Sequence, residues 1–213
     1  GDTDADAASA TIATGYAASR KLNGGGTLFA IFRGFLLFDT SVIGTDTISA
    51  AVLSVEPNAI TDTVNDSLSY VTIVTSTPAA NDNIVTTDVD NVGTVHQSDD
   101  IDITSMSVGT FVDFTFNATG RGNINKTGIS KFGTREGHDV SNDPTGIDNG
   151  EDSLLAYDSA DTAGTAEDPK LVVTHAAAAT TTSSSSSTTT SSSTTSSSTS
   201  TSTSSSTTSS TTS

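Results

Sequence analysis

From Thr180 to Ser213 every residue is serine or threonine, and a buried core cannot be built from such a stretch. Side chains no more apolar than a threonine methyl bury too little surface to offset the entropy of ordering them. Folding is therefore confined to about Gly1–His175, a length that suits one domain. The expected division is a folded domain over 1–175, then alanines and a Ser/Thr-rich tail over 176–213, extended or glycosylated. All ionisable side chains lie in the first part, so the net charge of −17 belongs to the domain. Such a charge repels phosphate backbones and anionic lipid, and no basic stripe offsets it, so no nucleic-acid partner is expected. No run reaches the roughly 18 apolar residues of a membrane span, so no membrane insertion is expected. Cysteine is absent, which excludes disulfides, thiolate metal sites and a cysteine nucleophile. The opening Gly1–Asp6 lacks the basic and apolar regions of a signal peptide, so an exported chain would be the processed form or a fragment.

The domain reads as strands separated by turn-rich loops. The most apolar segment is Leu28–Asp39, too apolar for a surface strand, with Gly34 marking a bulge or bend. Thr47–Val55 alternates in its latter part, and the β-branched Leu68–Thr75 follows, ahead of Pro78. Phe111–Phe116 sets Phe114 and Phe116 on one face and Asp113 and Thr115 on the other. Ile129–Gly133, Ser153–Tyr157 and Lys170–His175 complete the series, the last placed after Pro169 as suits a strand start. With a weak early strand at Thr11–Thr14, the spacing predicts an all-β fold: an antiparallel β-sandwich or jelly roll of about eight strands, followed by the low-complexity tail. The one helical signal is a turn at Gly122–Lys126, closed by Thr127-Gly128.

Several of these segments resemble a known family. Arg33-Gly34-Phe35-Leu36-Leu37-Phe38-Asp39-Thr40 followed by Ile48-Ser49-Ala50-Ala51-Val52-Leu53 is similar to the opening of the DNRLRE, or disaggregatase-related, β-sandwich domains. Asp168-Pro169-Lys170-Leu171-Val172-Val173-Thr174 resembles their final strand, and Ile124–Gly133 their middle. The resemblance implies a carbohydrate-binding-module-like jelly roll of microbial surface proteins or virion appendages. Its motifs are structural, so it implies an architecture and a location but no reaction.

Asp2, Asp4 and Asp6 have the spacing that opens a calcium loop. An EF-hand also needs glycine at the sixth position and glutamate at the twelfth, where this chain has Ala7 and Ala13. The three aspartates stay candidate ligands of a different calcium site, with solvated terminal charges as the plainer reading. Asp99, Asp100 and Asp102 form a second acidic group and Asp148, Glu151 and Asp152 a third, each read first as a solvated loop. His96, His138 and His175 show no zinc spacing, and no G-x-S-x-G elbow is present. No catalytic residue is assigned and no enzyme is expected. Phe29, Phe32, Phe35, Phe38, Phe111, Phe114 and Phe116 read as core rather than as a sugar-stacking platform.

Sequons at Asn65, Asn117 and Asn125 are weak N-glycosylation candidates, their number being what this composition gives by chance. The tail, from Thr180, Thr181, Thr182, Ser183, Ser184 and Ser185 to its end, is the candidate O-glycosylated stalk, with a plain spacer as the alternative. The resulting expectation is a structural subunit of an extracellular or cell-surface filament, partnered by copies of itself and by attached or bound glycans. A stalk-mounted glycan-binding or adhesion module, or a virion decoration or fibre protein, is the alternative.

Overall fold

Alternation in Thr47–Val55 places Ala51, Leu53 and Val55 on one side of a strand, and all three are buried. The computed structural model, which describes residues 13–22 and 28–177, builds an all-β antiparallel sandwich around such faces. Its strands are β1 (Thr14–Lys21), β2 (Phe29–Phe32), β3 (Gly34–Asp39), β4 (Thr47–Val55), β5 (Pro57–Asp62), β6 (Tyr70–Thr75), β7 (Ile101–Asp102), β8 (Val112–Thr115), β9 (Ile129–Glu136), β10 (Asp152–Asp158) and β11 (Lys170–Ala176). They form three sheets, ordered β2-β1-β10-β5, β3-β9-β6-β7 and β11-β4-β8.

The strands exceed the expected eight for physical reasons. Leu28–Asp39 is two strands: Arg33 is a corner at which the chain leaves the first sheet and enters the second. Glu56 is a matching corner between β4 in the third sheet and β5 in the first. The early strand lies later than Thr11–Thr14, in a segment whose residues are mostly small. β9 continues past Gly133 into the charged Arg135-Glu136. The expected turn at Gly122–Lys126 is also displaced. Helix α1 spans Ala118–Gly122, because the Asn117 carboxamide accepts the Gly120 N–H at 2.9 Å and fixes its start. A second short helix, α2 (Gly137–Ser141), follows β9 directly, its first turn closed by the Glu136 carboxylate accepting the His138 N–H at 3.0 Å.

The core runs between the sheets through Leu53, Ile73, Phe114, Phe116, Phe132, Leu155 and Tyr157. Phe116 and Phe132 meet edge to face at 4.8 Å, the arrangement their ring quadrupoles favour. An isolated bridge between Ser98 and Phe116 ties the margin of the second sheet to that of the third. β11 runs one residue beyond the expected domain end at His175. The Ser/Thr tail lies outside the described residues.

Candidate functional site

The corner at Arg33 creates an opening. β1 pairs with β10 over Thr14–Arg20 but with β2 only over Ala18–Lys21. Continued, that register would set Tyr16 level with Gly34 and Thr14 level with Leu36. β3 instead turns away to pair with β9, and its other side has no strand partner among the described residues. Two strand edges, the first half of β1 and all of β3, therefore border one groove of about 560 Å³.

The floor of the groove is the buried Tyr157 ring. It fits there because Gly15 and Gly34 carry no side chain: a Cβ at either position would collide with the ring or its hydroxyl. The Tyr157 hydroxyl shares a hydrogen bond with Thr134 Oγ1 at 3.2 Å, and burial pushes its pKa up to about 12. Thr134 Oγ1 also lies 3.2 Å from the Tyr16 carbonyl oxygen, to which it can donate. On one wall the Tyr16 and Phe32 rings lie 5.7 Å apart. Ile31 is 44% and Phe32 38% exposed, so part of the apolar segment read as core faces this opening.

The opposite wall, Asn81–Val85, is held by one buried carboxylate. Asp88 accepts from the Ala79 N–H, the Val85 N–H and Asn91 Nδ2, each at 3.0 Å. The Val85 bond foremost, against the opposing effect of burial, holds the Asp88 carboxyl below its usual range. Arg33 ties this wall to the corner by donating to the Val89 carbonyl at 2.6 Å. Its remaining donors form a fork on Asp139, at 2.8 and 2.7 Å. Arg135 grips the same carboxylate from the other side at 2.6 and 2.8 Å. Burial alone would raise the Asp139 carboxyl, but the two guanidiniums outweigh it and hold the pKa down. The rim carries Asp82, Asp161 and Asp168. Asp168 Oδ1 is buried without a hydrogen-bond partner.

A second polar cluster lies at the end of β9. His138 Nδ1 is 2.6 Å from Glu136 Oε1 and its Nε2 is 3.2 Å from Asp66 Oδ2. Ser153 Oγ donates to the same Glu136 oxygen at 2.7 Å. Burial opposes the imidazolium, yet Glu136 and Asp66 outweigh it, so the His138 pKa is raised. Serine, histidine and carboxylate come together here in the wrong order for nucleophilic catalysis. The hydroxyl faces the carboxylate rather than the imidazole, and both ring nitrogens are occupied. The His138 side chain is also only 1% exposed.

The acidic groups read from sequence do not converge. Asp100 pairs with His96 at 2.7 Å, while Asp102 caps a turn by accepting the Thr104 N–H. Glu151 accepts the Asp148 N–H, and Asp152 is forked by Arg20. His175 faces Asp46 at 2.8 Å. Among the described residues no group of three His, Cys, Asp or Glu is arranged to hold a metal. Asp2, Asp4 and Asp6, like Thr180–Ser213, lie outside the described residues. Of the sequon asparagines, Asn65 and Asn125 are exposed. Asn117 is engaged, donating from Nδ2 to the His96 carbonyl at 2.9 Å while it caps α1.

Sequence reasoning passed over Glu136, Asp139 and Asp88, whose burial converts them from surface charges into braces. The one local signal was Arg135-Glu136-Gly137-His138-Asp139, where four ionisable residues in five follow directly on a strand. No protein-family model and no curated protein matches this chain.

Proposed function

We propose that this chain is a non-catalytic structural subunit of an extracellular surface assembly, with its Ser/Thr tail as an O-glycosylated stalk. The observation that carries the reading is the groove between β1 and β3, where, among the described residues, the first half of β1 and the whole of β3 lack a strand partner on the groove side. Open edges are places where a further strand can add, and contact of this kind between unlike surfaces propagates a filament. The groove-lining side chains of Ile31 and Phe32 are 44% and 38% exposed, and would be covered in an assembly. The likeness to DNRLRE-type surface domains belongs to the same proposal.

Light scattering of the full chain over a range of concentrations tests this. Growth beyond the 21.5 kDa of one chain is expected, and a monomer throughout would end the reading. Mass spectrometry of natively sourced protein before and after β-elimination tests the stalk: sugar mass removed by that treatment is expected, and a bare-chain mass would contradict it.

A second reading rests on the composition of the same groove. The Tyr16–Phe32 wall faces amide and carboxylate side chains at Asn81, Asp82 and Asn83, a combination that suits a sugar chain. A glycan array with the unassembled chain separates the two readings, since saturable binding to one polysaccharide favours a display or adhesion module. A virion decoration or fibre protein would share the architecture of the first reading.

A further inference from the structure

Building on the assembly reading, we infer that the groove accepts, as an added strand on β3, the Ala7–Ile12 segment of a second copy of this chain. Among the described residues, the six-residue β3 has no strand partner on its groove side. Ala7-Ala8-Ser9-Ala10-Thr11-Ile12 is a six-residue stretch without charge. Its sequence alternates, with Ala8, Ala10 and Ile12 on one side and Ser9 and Thr11 on the other, the pattern of a strand with one apolar and one polar face. Small apolar residues suit a groove whose floor is the flat Tyr157 ring and whose sides are fixed by Asp88 and Arg33.

Charge admits this segment. The rim carries Asp82, Asp161 and Asp168 with a buried, unpartnered oxygen on Asp168, and the domain as a whole is strongly acidic. An incoming strand must therefore carry no acidic side chain where it lies in the groove and must bring hydrogen-bond donors, which backbone N–H groups do. Asp2, Asp4 and Asp6 precede the uncharged stretch and need not enter. The donor is a second copy for a topological reason. Ile12 is two residues from Thr14, which lines the groove as the first residue of β1. The same chain would have to reverse within Ala13 to lay this segment back between β1 and β3. Donor segment and acceptor groove are different surfaces, so each copy gives and receives and the contact repeats head to tail.

The absence of native cysteine makes the test direct. One batch of full chain carries Ala8→Cys, Ala10→Cys or Ile12→Cys, and a second carries Leu37→Cys on the β3 edge. Asp39→Cys, exposed at the end of that edge, is a second acceptor should Leu37→Cys lower the melting temperature. The batches are mixed under mild oxidation and the linked peptides identified by mass spectrometry, with Val42→Cys, 86% exposed, as the control acceptor. Docking predicts at least about tenfold more linkage to the β3 acceptors than to Val42, because a docked pair sees a far higher effective concentration. Assembly without that excess at any of the three donor positions overturns the inference and leaves the assembly reading standing. A chain that stays monomeric overturns both. A double variant, Ala10→Cys with Leu37→Cys in one chain, that links only within single molecules while the mixed batches stay unlinked overturns the second copy as donor.

Discussion

The hydroxyl of Tyr157 occupies the place where a Cβ on Gly34 would stand, with Thr134 Oγ1 2.5 Å from the same point. This contact joins the first sheet to the second beneath the groove, and it explains why the corner after Arg33 is followed by glycine. Gly34→Ala should cost about 1–3 kcal/mol as an overpacked core contact. Tyr157→Phe alone should cost about 1 kcal/mol, for the hydrogen bond lost to Thr134. The double variant should be less destabilised than the two losses added together, since removing the hydroxyl clears the nearest atom. Denaturant titration of the three variants measures this, and strict additivity would mean that the two residues do not touch.

The phenylalanines differ in weight. Phe116 is 1% exposed and meets Phe132 edge to face, whereas Phe38 is only partly buried at the margin of the core. Phe116→Ala should cost about 3–5 kcal/mol. Phe38→Ala should cost clearly less, although the alternating pattern gives the two equal standing. Thermal melting of both variants decides the order.

Asp139 neutralises two guanidiniums at once, with its own side chain 2% exposed. Asp139→Asn leaves Arg33 and Arg135 facing each other with no carboxylate between them, and should cost about 3–5 kcal/mol. Arg33 also holds the Val89 carbonyl, so amide exchange over Thr86–Asn91 should quicken more than exchange in β4. Uniform quickening would show that Asp139 supports the whole fold rather than this wall.

The His138 cluster gives a pH dependence of definite sign. Its pKa stands above the ordinary 6.5, so folding favours the protonated imidazole. That contribution is complete below about pH 6.5 and is lost as pH rises through the folded value. The groups facing the ring are Glu136 at the end of β9, Asp66 on the β5–β6 loop and, at longer range, Asp143 after α2. Asp139 works in the opposite direction: its lowered pKa gives stability that is present above its ordinary 3.8 and lost as acid titrates it. The melting temperature of the native chain should therefore fall as pH rises from 6.5, and His138→Gln should flatten that limb. An unchanged slope in the variant would exclude His138 as its source.

Much of the sheet structure was legible because one buried face imposes a period of two. β4 matches its expected limits, and β6, β8, β10 and β11 fall within a residue or two of theirs. The segments that escaped had physical reasons to do so. β1 is rich in Gly15, Ala17, Ala18 and Ser19, small because Tyr157 and β9 press against it. β5 begins with proline and gains its place by pairing with β10, while β7 is only two residues long. The corner at Arg33 read as a bulge or bend at Gly34 within one strand because a strand that changes sheets keeps its apolar pattern.

The groove was less legible than the sheets. Its floor, walls and rim come from residues near 15, 34, 82, 157 and 168, and only the pairing of β1 and β3 with other strands brings them together. Nothing local in Asp88 or Glu136 announces that they are buried. Their role depends on hydrogen-bond partners supplied by the fold.

We propose above that copies of this chain meet along the groove side of β3. Amide hydrogen exchange over Phe35–Asp39, followed as chain concentration rises, tests it most directly. Outward-facing amides of this strand should exchange freely in dilute solution and become protected in step with assembly. Assembled chain whose β3 amides exchange as fast as those of the dilute monomer would contradict it.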